Sequence, residues 1–172
     1  MASALKNLSK YNEENIPSGE KMNIGIVVAE WNEHITHHLY EGAYETLLKH
    51  GVKEENIHSV QVPGTFELPI GARMLLHAKQ LDAVICIGCV IKGETKHDEY
   101  INSSVAMGIT NLALTVNKPI IFGVLTPNNE AQAIDRAGGK HGNKGIEAAV
   151  TALRMVGVKQ SFGEVKGKIG FN

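Results

Sequence analysis

A chain of 172 residues, 43% of them hydrophobic, is long enough for one compact domain with its own core. Seventeen basic against eighteen acidic residues leave a formal charge of −1, which gives no electrostatic footprint for nucleic acid or for an anionic membrane surface. No apolar run approaches the ~20 residues of a membrane span, so neither nucleic acid nor membrane is an expected partner.

Residues 1–21, "MASALKNLSKYNEENIPSGEK", are polar and weakly patterned and read as an N-terminal arm. They lack the apolar stretch of a secretory signal, so a cytoplasmic location is expected. "NIGIVVA" (23–29) is a β-branched run suited to a strand buried on both faces. A helix comes next, with Ile35, Leu39, Ala43 and Leu47 recurring every fourth residue and Gly51 placed as its C-terminal glycine. "IHSVQV" (57–62) predicts the second strand, and Ile70, Met74 and Ala78 share one face of the helix after it. "DAVICIGCVI" (82–91) and "IIFGVLT" (120–126) are the third and fourth strands. Between them Ile101, Val105, Ile109, Leu112 and Val116 stripe a long helix. A short helical piece over 130–137, the turn "GGKHGNKG" and a last helix carrying Ile146, Val150, Leu153 and Val156 complete the pattern. The domain is expected to span 22–158, with 159–172 as a frayed tail.

Cys86 and Cys89 resemble a redox Cys-x-x-C pair by spacing. Within a strand, however, an odd separation sends the two side chains to opposite faces, and redox pairs usually sit at a helix N-terminus. Two reduced, buried thiols are expected.

Strand–helix alternation implies a parallel sheet with helices on both faces, an α/β fold whose ligands bind beyond the carboxyl ends of the strands. The residues at those ends are not the ones a core would need. The first strand runs into Glu30-Trp31-Asn32, the second into Pro63-Gly64-Thr65-Phe66-Glu67, and the third into Lys92-Gly93-Glu94-Thr95-Lys96-His97. Aromatic, acidic, hydroxyl and imidazole groups converge on one rim. Trp31 and Phe66 suit a flat heterocycle, although Phe66 serves equally well as a core residue. Glu67 fits either a polyol or the dipole of the helix it begins. Gly88, Gly93 and Thr95 fit a turn that meets an anion at a helix start, or an ordinary turn with Thr95 as N-cap. His97 is of the residue type best suited to acid–base work near neutral pH, although a lone histidine is more often structural or merely exposed. Arg136 and Lys144 bracket the glycine-rich turn. Guanidinium geometry suits phosphate, but a surface ion pair with Asp135 is the simpler reading of Arg136 from its neighbours. His34, His37 and His38 have helical spacing, yet no cysteine or carboxylate completes a metal set, and no metal is assigned.

"WNEHIT", "VPGTFELP", "GCVIKGETKHDEY", "FGVLT" and "AIDRAGGKHGNKG", in this order over Met22 to Val158, resemble the lumazine synthase family. The resemblance implies a three-layer flavodoxin-like α/β sandwich with a four-stranded parallel sheet flanked by helices. It also implies a cofactor-free condensation of 5-amino-6-(D-ribitylamino)uracil with 3,4-dihydroxy-2-butanone 4-phosphate. Carried over by motif, Trp31 and Phe122 border the pyrimidine, Thr65, Phe66 and Glu67 hold the ribityl chain, and Cys89, Val90 and Ile91 meet the ring through backbone groups. Glu94, Thr95 and Arg136 seat the butanone phosphate, and His97 shuttles protons. Asn32 and Lys144 support the site, and Glu147 orients Lys144. Trp31 stands where the family commonly has phenylalanine, Glu94 where a small residue is common, Pro127 where threonine is frequent, and Glu147 where some relatives have aspartate. None of these removes a required group.

Family membership further implies sites shared between subunits of a homo-pentamer. In some relatives twelve pentamers form a sixty-subunit icosahedral shell, and riboflavin synthase is a candidate passenger. Relatives that stop at the pentamer carry an insertion near the glycine-rich turn, which this chain lacks. The N-terminal arm is expected to add a strand to a neighbour's sheet. Two other classes compete: a flavin- or pterin-binding module, and a shell protein with a vestigial site. Neither needs His97, Thr95 and Arg136 together.

Overall fold

The computed structural model describes Ser9 and residues 11–164. Four strands, β1 (Ile24–Ala29), β2 (Ile57–Val62), β3 (Ala83–Cys89) and β4 (Ile120–Leu125), form one parallel sheet in the order β2-β1-β3-β4. The helices are α1 (Glu33–Lys49), α2 (Leu68–Ala78), α3 (His97–Val116), α4 (Glu130–Arg136) and α5 (Lys144–Glu164). The glycine-rich turn is a small antiparallel hairpin, β5 (Ala137–Gly139) with β6 (Gly142–Asn143), rather than a bare loop.

Strand alternation divides the core into two layers. Ile24, Ile26, Val28, Ile85 and Ile87 pack on one side with Leu39 and Leu47 of α1 and Leu153 of α5. Val27, Ala29, Val84 and Cys86 pack on the other with Leu68 and Ala72 of α2 and Val105 and Ile109 of α3. β1 and β3 are buried at every residue, as their unbroken apolar runs require. The four-residue stripe of α1 is wholly buried. That helix ends in a Schellman motif: Gly51, at φ +89°, donates to Leu48 O at 2.9 Å and Val52 to Leu47 O at 3.0 Å. Cys86 and Cys89 fall in opposite core layers, and both are free and buried.

The structure departs from the sequence pattern in three places. The face of α2 through Ile70, Met74 and Ala78 does not enter the core. Leu68, Gly71 and Ala72 do, because Gly71 lets the helix approach Val27 and Val62, while Ile70 and Met74 remain 48% and 64% exposed. α5 continues over 159–164, so the expected tail is helical there; residues 165–172 lie outside the described residues. Gly88 belongs to β3 itself, not to an anion-binding turn.

Of the expected arm, residues 1–21, positions 1–8 and 10 lie outside the described residues. Residues 11–22 lie on their own chain. Lys49 pairs with Glu13 at 2.5 Å, Tyr11 Oη meets His50 Nε2 at 3.0 Å, the Gly19 amide donates to His50 O at 2.8 Å, and Met22 is buried.

Candidate active site

The carboxyl ends of β1, β2 and β3 open into a cleft of about 750 Å³ on the side of the sheet covered by α2 and α3. Its wall contains Trp31, Asn32, Thr65, Phe66, Glu67, Cys89, Val90, Ile91, Thr95 and His97. Ten residues from three separate connections therefore meet at the point where the strand order reverses from β1 to β3, as an open parallel sheet predicts.

Each connection has a local reason for its shape. After β1 the chain turns through Asn32 in the left-handed region (φ 63°, ψ 44°), a conformation asparagine tolerates better than most residues. The Asn32 side chain does not cap α1. It donates from Nδ2 to Cys89 O at 2.9 Å, tying the end of β1 to the end of β3. Trp31 is thereby left 73% exposed above the cleft. After β2, Thr65–Glu67 form one turn of 3-10 helix leading into α2. That turn sits directly on β3: a Cβ at Gly88 would lie 2.7 Å from Thr65 Oγ1 and 3.0 Å from a Leu68 methyl, so only glycine admits it. Thr65 is consequently buried, whereas Phe66 is 57% exposed, which resolves its two readings against the core. Glu67 makes no capping hydrogen bond to α2. After β3 the strand pairing persists through the Val90 amide to Leu125 O (2.8 Å) and the Lys92 amide to Pro127 O (2.9 Å) before the chain turns into α3. Thr95 Oγ1 accepts from the His97 amide at 3.4 Å, a local contact in place of a formal N-cap.

The cleft also includes Gly64, Gly93, Asp98, Tyr100, Ile101 and Ser104, of which Asp98, Tyr100 and Ser104 carry polar groups that the motifs did not single out. Their signal was positional: they come after His97 within the first turns of α3, and the helical repeat brings Ile101 and Ser104 back to the same side. Glu94 is exposed and absent from the wall. Burial raises the Cys89 thiol from an ordinary 9.0 to about 12, and the Cys86 thiol likewise, so neither is a thiolate at neutral pH.

Besides Glu94, four expected site residues are not in this cleft. Phe122 is half-buried in the middle of β4, opposite Cys86. Arg136, Lys144 and Glu147 gather where α4, the hairpin and α5 meet, on the other side of the sheet with α1. Arg136 pairs with Glu147, not with Asp135: Nη2 donates to Glu147 Oε1 at 2.6 Å and Nη1 to His141 O at 2.6 Å. Lys144 Nζ reaches the second oxygen of the same carboxylate at 3.4 Å. One acid thus holds two cations, all three side chains being about one-fifth exposed or less. The cleft has the opposite bias. Glu67 and Asp98 line it, and among the described residues no lysine or arginine does.

His34, His37 and His38 form ion pairs with Glu130 and Glu41 along the wet flank of α1. Among the described residues no set of three or more histidine, cysteine, aspartate and glutamate side chains could hold a metal ion, and no helix is long and apolar enough to cross a membrane.

A doubly wound sheet with an aromatic-lined cleft at its carboxyl edge defines an α/β protein with a ligand-sized site at the switch point. Comparison with known proteins narrows this. Residues 21–160 match the profile of the 6,7-dimethyl-8-ribityllumazine synthase family. Proteins of that name from Cytophaga hutchinsonii and Parabacteroides distasonis are 61% and 56% identical over 156 residues, covering 91% of this chain and 98% of each relative. One from Christiangramia forsetii is 44% identical over 168 residues, covering 97% of this chain and all of the relative. The chain belongs to the 6,7-dimethyl-8-ribityllumazine synthase family.

Proposed function

We propose that this chain condenses 5-amino-6-(D-ribitylamino)uracil with 3,4-dihydroxy-2-butanone 4-phosphate to 6,7-dimethyl-8-ribityllumazine, with loss of phosphate and water, the penultimate step of riboflavin biosynthesis. The observation that carries the reading is the convergence of Trp31, Phe66, Glu67, Thr95 and His97 on one cleft at the switch point of the sheet. Trp31 stacks on the pyrimidine, and Cys89, Val90 and Ile91 offer it backbone groups. The Thr65–Glu67 turn takes the ribityl hydroxyls, with the free Glu67 carboxylate as acceptor.

The chemistry needs little more. The primary amine attacks the ketone and water leaves to give an imine. Phosphate is eliminated to an enol that tautomerises to a ketone, and the ribityl-bearing nitrogen attacks that carbonyl and expels a second water to close the ring. Protons must move at each stage, and His97 is placed to accept and return them. No covalent bond to the protein is required, and alignment of two substrates supplies much of the acceleration, since effective molarities reach about 10⁵ M or more. No cofactor enters these steps.

The cleft of one chain offers a phosphate backbone donors but, among the described residues, no lysine or arginine to balance its charge. We infer that the site is completed by a neighbouring subunit, which brings Arg136 and Lys144, oriented by Glu147, to the Glu94–Thr95 backbone, and Phe122 to the pyrimidine. Support comes from the unpartnered apolar surface of α2 and α3, where Ile70, Met74, Met107 and Leu114 are 48–76% exposed on a single chain. A homo-pentamer satisfies both needs. The short β5–β6 hairpin fits assembly of twelve pentamers into a sixty-subunit shell, with riboflavin synthase as a possible guest. A cytoplasmic location suits two free, buried cysteines.

The test is formation of the fluorescent lumazine from both substrates, corrected for the spontaneous reaction. Turnover well above background is expected. A rate equal to background would leave a binding or shell protein.

A further inference from the structure

Between the hairpin and α5 stands a residue that touches no part of the cleft. Asn143 ends β6, is 8% exposed, and uses both ends of its amide. Its Nδ2 donates to His38 O on α1 at 2.8 Å, and its Oδ1 accepts from the Gly145 amide at 2.7 Å, which caps the first turn of α5. Its backbone amide donates to Ser9 Oγ at 2.6 Å, and Ser9 Oγ donates to its carbonyl at 3.0 Å. The space is cut to fit. A Cβ at Gly42 would lie 2.6–2.7 Å from the Asn143 side chain, and one at Gly145 would collide with the Leu39 carbonyl. Two glycines therefore let α1 and α5 cross closely, and an amide fills the gap, since it presents a donor and an acceptor on two separate atoms of one short side chain.

The consequence lies in what is attached. Lys144 is the next residue, Glu147 stands one turn later, and Arg136 reaches across the hairpin to both His141 O and Glu147. The carriers of both cations are thus fastened to α1 through one side chain. We propose that Asn143 is the positioning residue for the phosphate-binding cations, and that Ser9 of the N-terminal segment extends its support. This rests on the reading that Arg136 and Lys144 hold the substrate phosphate. A cation displaced by a fraction of an ångström loses its alignment with a tetrahedral anion, while the pyrimidine end of the site does not change.

The experiment uses the full-length enzyme and three variants. Asn143→Ser keeps a capping oxygen but loses the donor to His38. Gly42→Ala leaves the amide chemically intact and fills its socket, although alanine is the better helix former. Ser9→Ala removes only the outer support. KM for each substrate, Ki for inorganic phosphate and the thermal midpoint are measured, with Arg136→Ala as reference. Asn143→Ser and Gly42→Ala are expected to raise KM for the butanone phosphate and Ki for phosphate about tenfold, with KM for the ribitylaminouracil unchanged within about twofold. Ser9→Ala moves the same two constants less, and carries the test with Gly42→Ala if Asn143→Ser does not fold. Unchanged phosphate constants in the folded variants, or an equal rise in both KM values, would overturn the proposal. If Arg136→Ala itself leaves KM and Ki for phosphate unaltered, the underlying assignment of the phosphate site fails instead.

Discussion

The cleft at the carboxyl edge and the cation cluster at the start of α5 are built on opposite principles. In the cleft, Trp31 and Phe66 stand open to solvent, the Glu67 and Asp98 carboxylates have no hydrogen-bond or ion-pair partner among the described residues, and order comes from the backbone beneath, through the Asn32–Cys89 bond and the Gly88–Thr65 contact. In the cluster, Arg136, Lys144, Glu147 and Asn143 have partners already, and all are largely shielded from water. An unsatisfied surface waits for a ligand that brings its own donors. A partly neutralised cluster holds its cations in a fixed geometry and offers them to an anion that outcompetes Glu147. Two substrates of different character, a neutral heterocycle with a polyol and a small phosphate ester, call for these two kinds of subsite.

The comparison is broken most severely at the cluster. Arg136→Ala should lower kcat/KM about a thousandfold if, as proposed, it removes a charge-assisted, preorganised contact to the leaving phosphate. Steady-state fluorescence kinetics check this, with KM for the butanone phosphate rising more than KM for the uracil. His97→Ala should lower kcat by up to about a hundredfold yet leave turnover above the spontaneous rate, since alignment survives the loss of the proton shuttle. Added imidazole restoring part of that rate would sharpen the assignment. Trp31→Ala should raise KM for the ribitylaminouracil about tenfold, the scale of one aromatic stacking contact, and leave Ki for phosphate unmoved. The thiols should show the least. With both held at about 12, neither Cys86 nor Cys89 should react with a disulfide reagent in the native chain at about pH 8. In the unfolded chain these thiols lose protons from about pH 9 upward while the folded chain retains them, so their contribution to stability is intact below that pH and declines toward pH 12. Unfolding titrations of Cys86→Ala should show a shallower alkaline decline.

Much of the fold was legible in the chain. The runs 24–29 and 83–89 are apolar at nearly every position because both faces of those strands are covered, and the four-residue repeat of α1 marks its single buried stripe. The cleft could be found because each strand ends in residues that a core does not need. Less legible were features that depend on a second layer of contact. Ile70 and Met74 carry a helical period but face outward, since periodicity identifies a stripe without saying which body covers it. Arg136 stands beside Asp135 in sequence, yet the turn through the hairpin brings it to Glu147, eleven residues away. Asn143 gave no sign in the sequence, because its partners, His38 and Ser9, are 105 and 134 residues distant.

The central claim is that the cleft of one subunit is completed by the cation cluster of another. It is tested most directly by co-assembling Arg136→Ala with the double variant Trp31→Ala/His97→Ala, each nearly inactive alone. If the site is composite, equal mixing creates interfaces with an intact cleft facing an intact cluster, and lumazine formation should return to about a quarter of the wild-type rate. Activity no greater than the sum of the two separate assemblies would place cleft and cluster in the same subunit's site, or the cluster outside the site altogether, and would contradict the account.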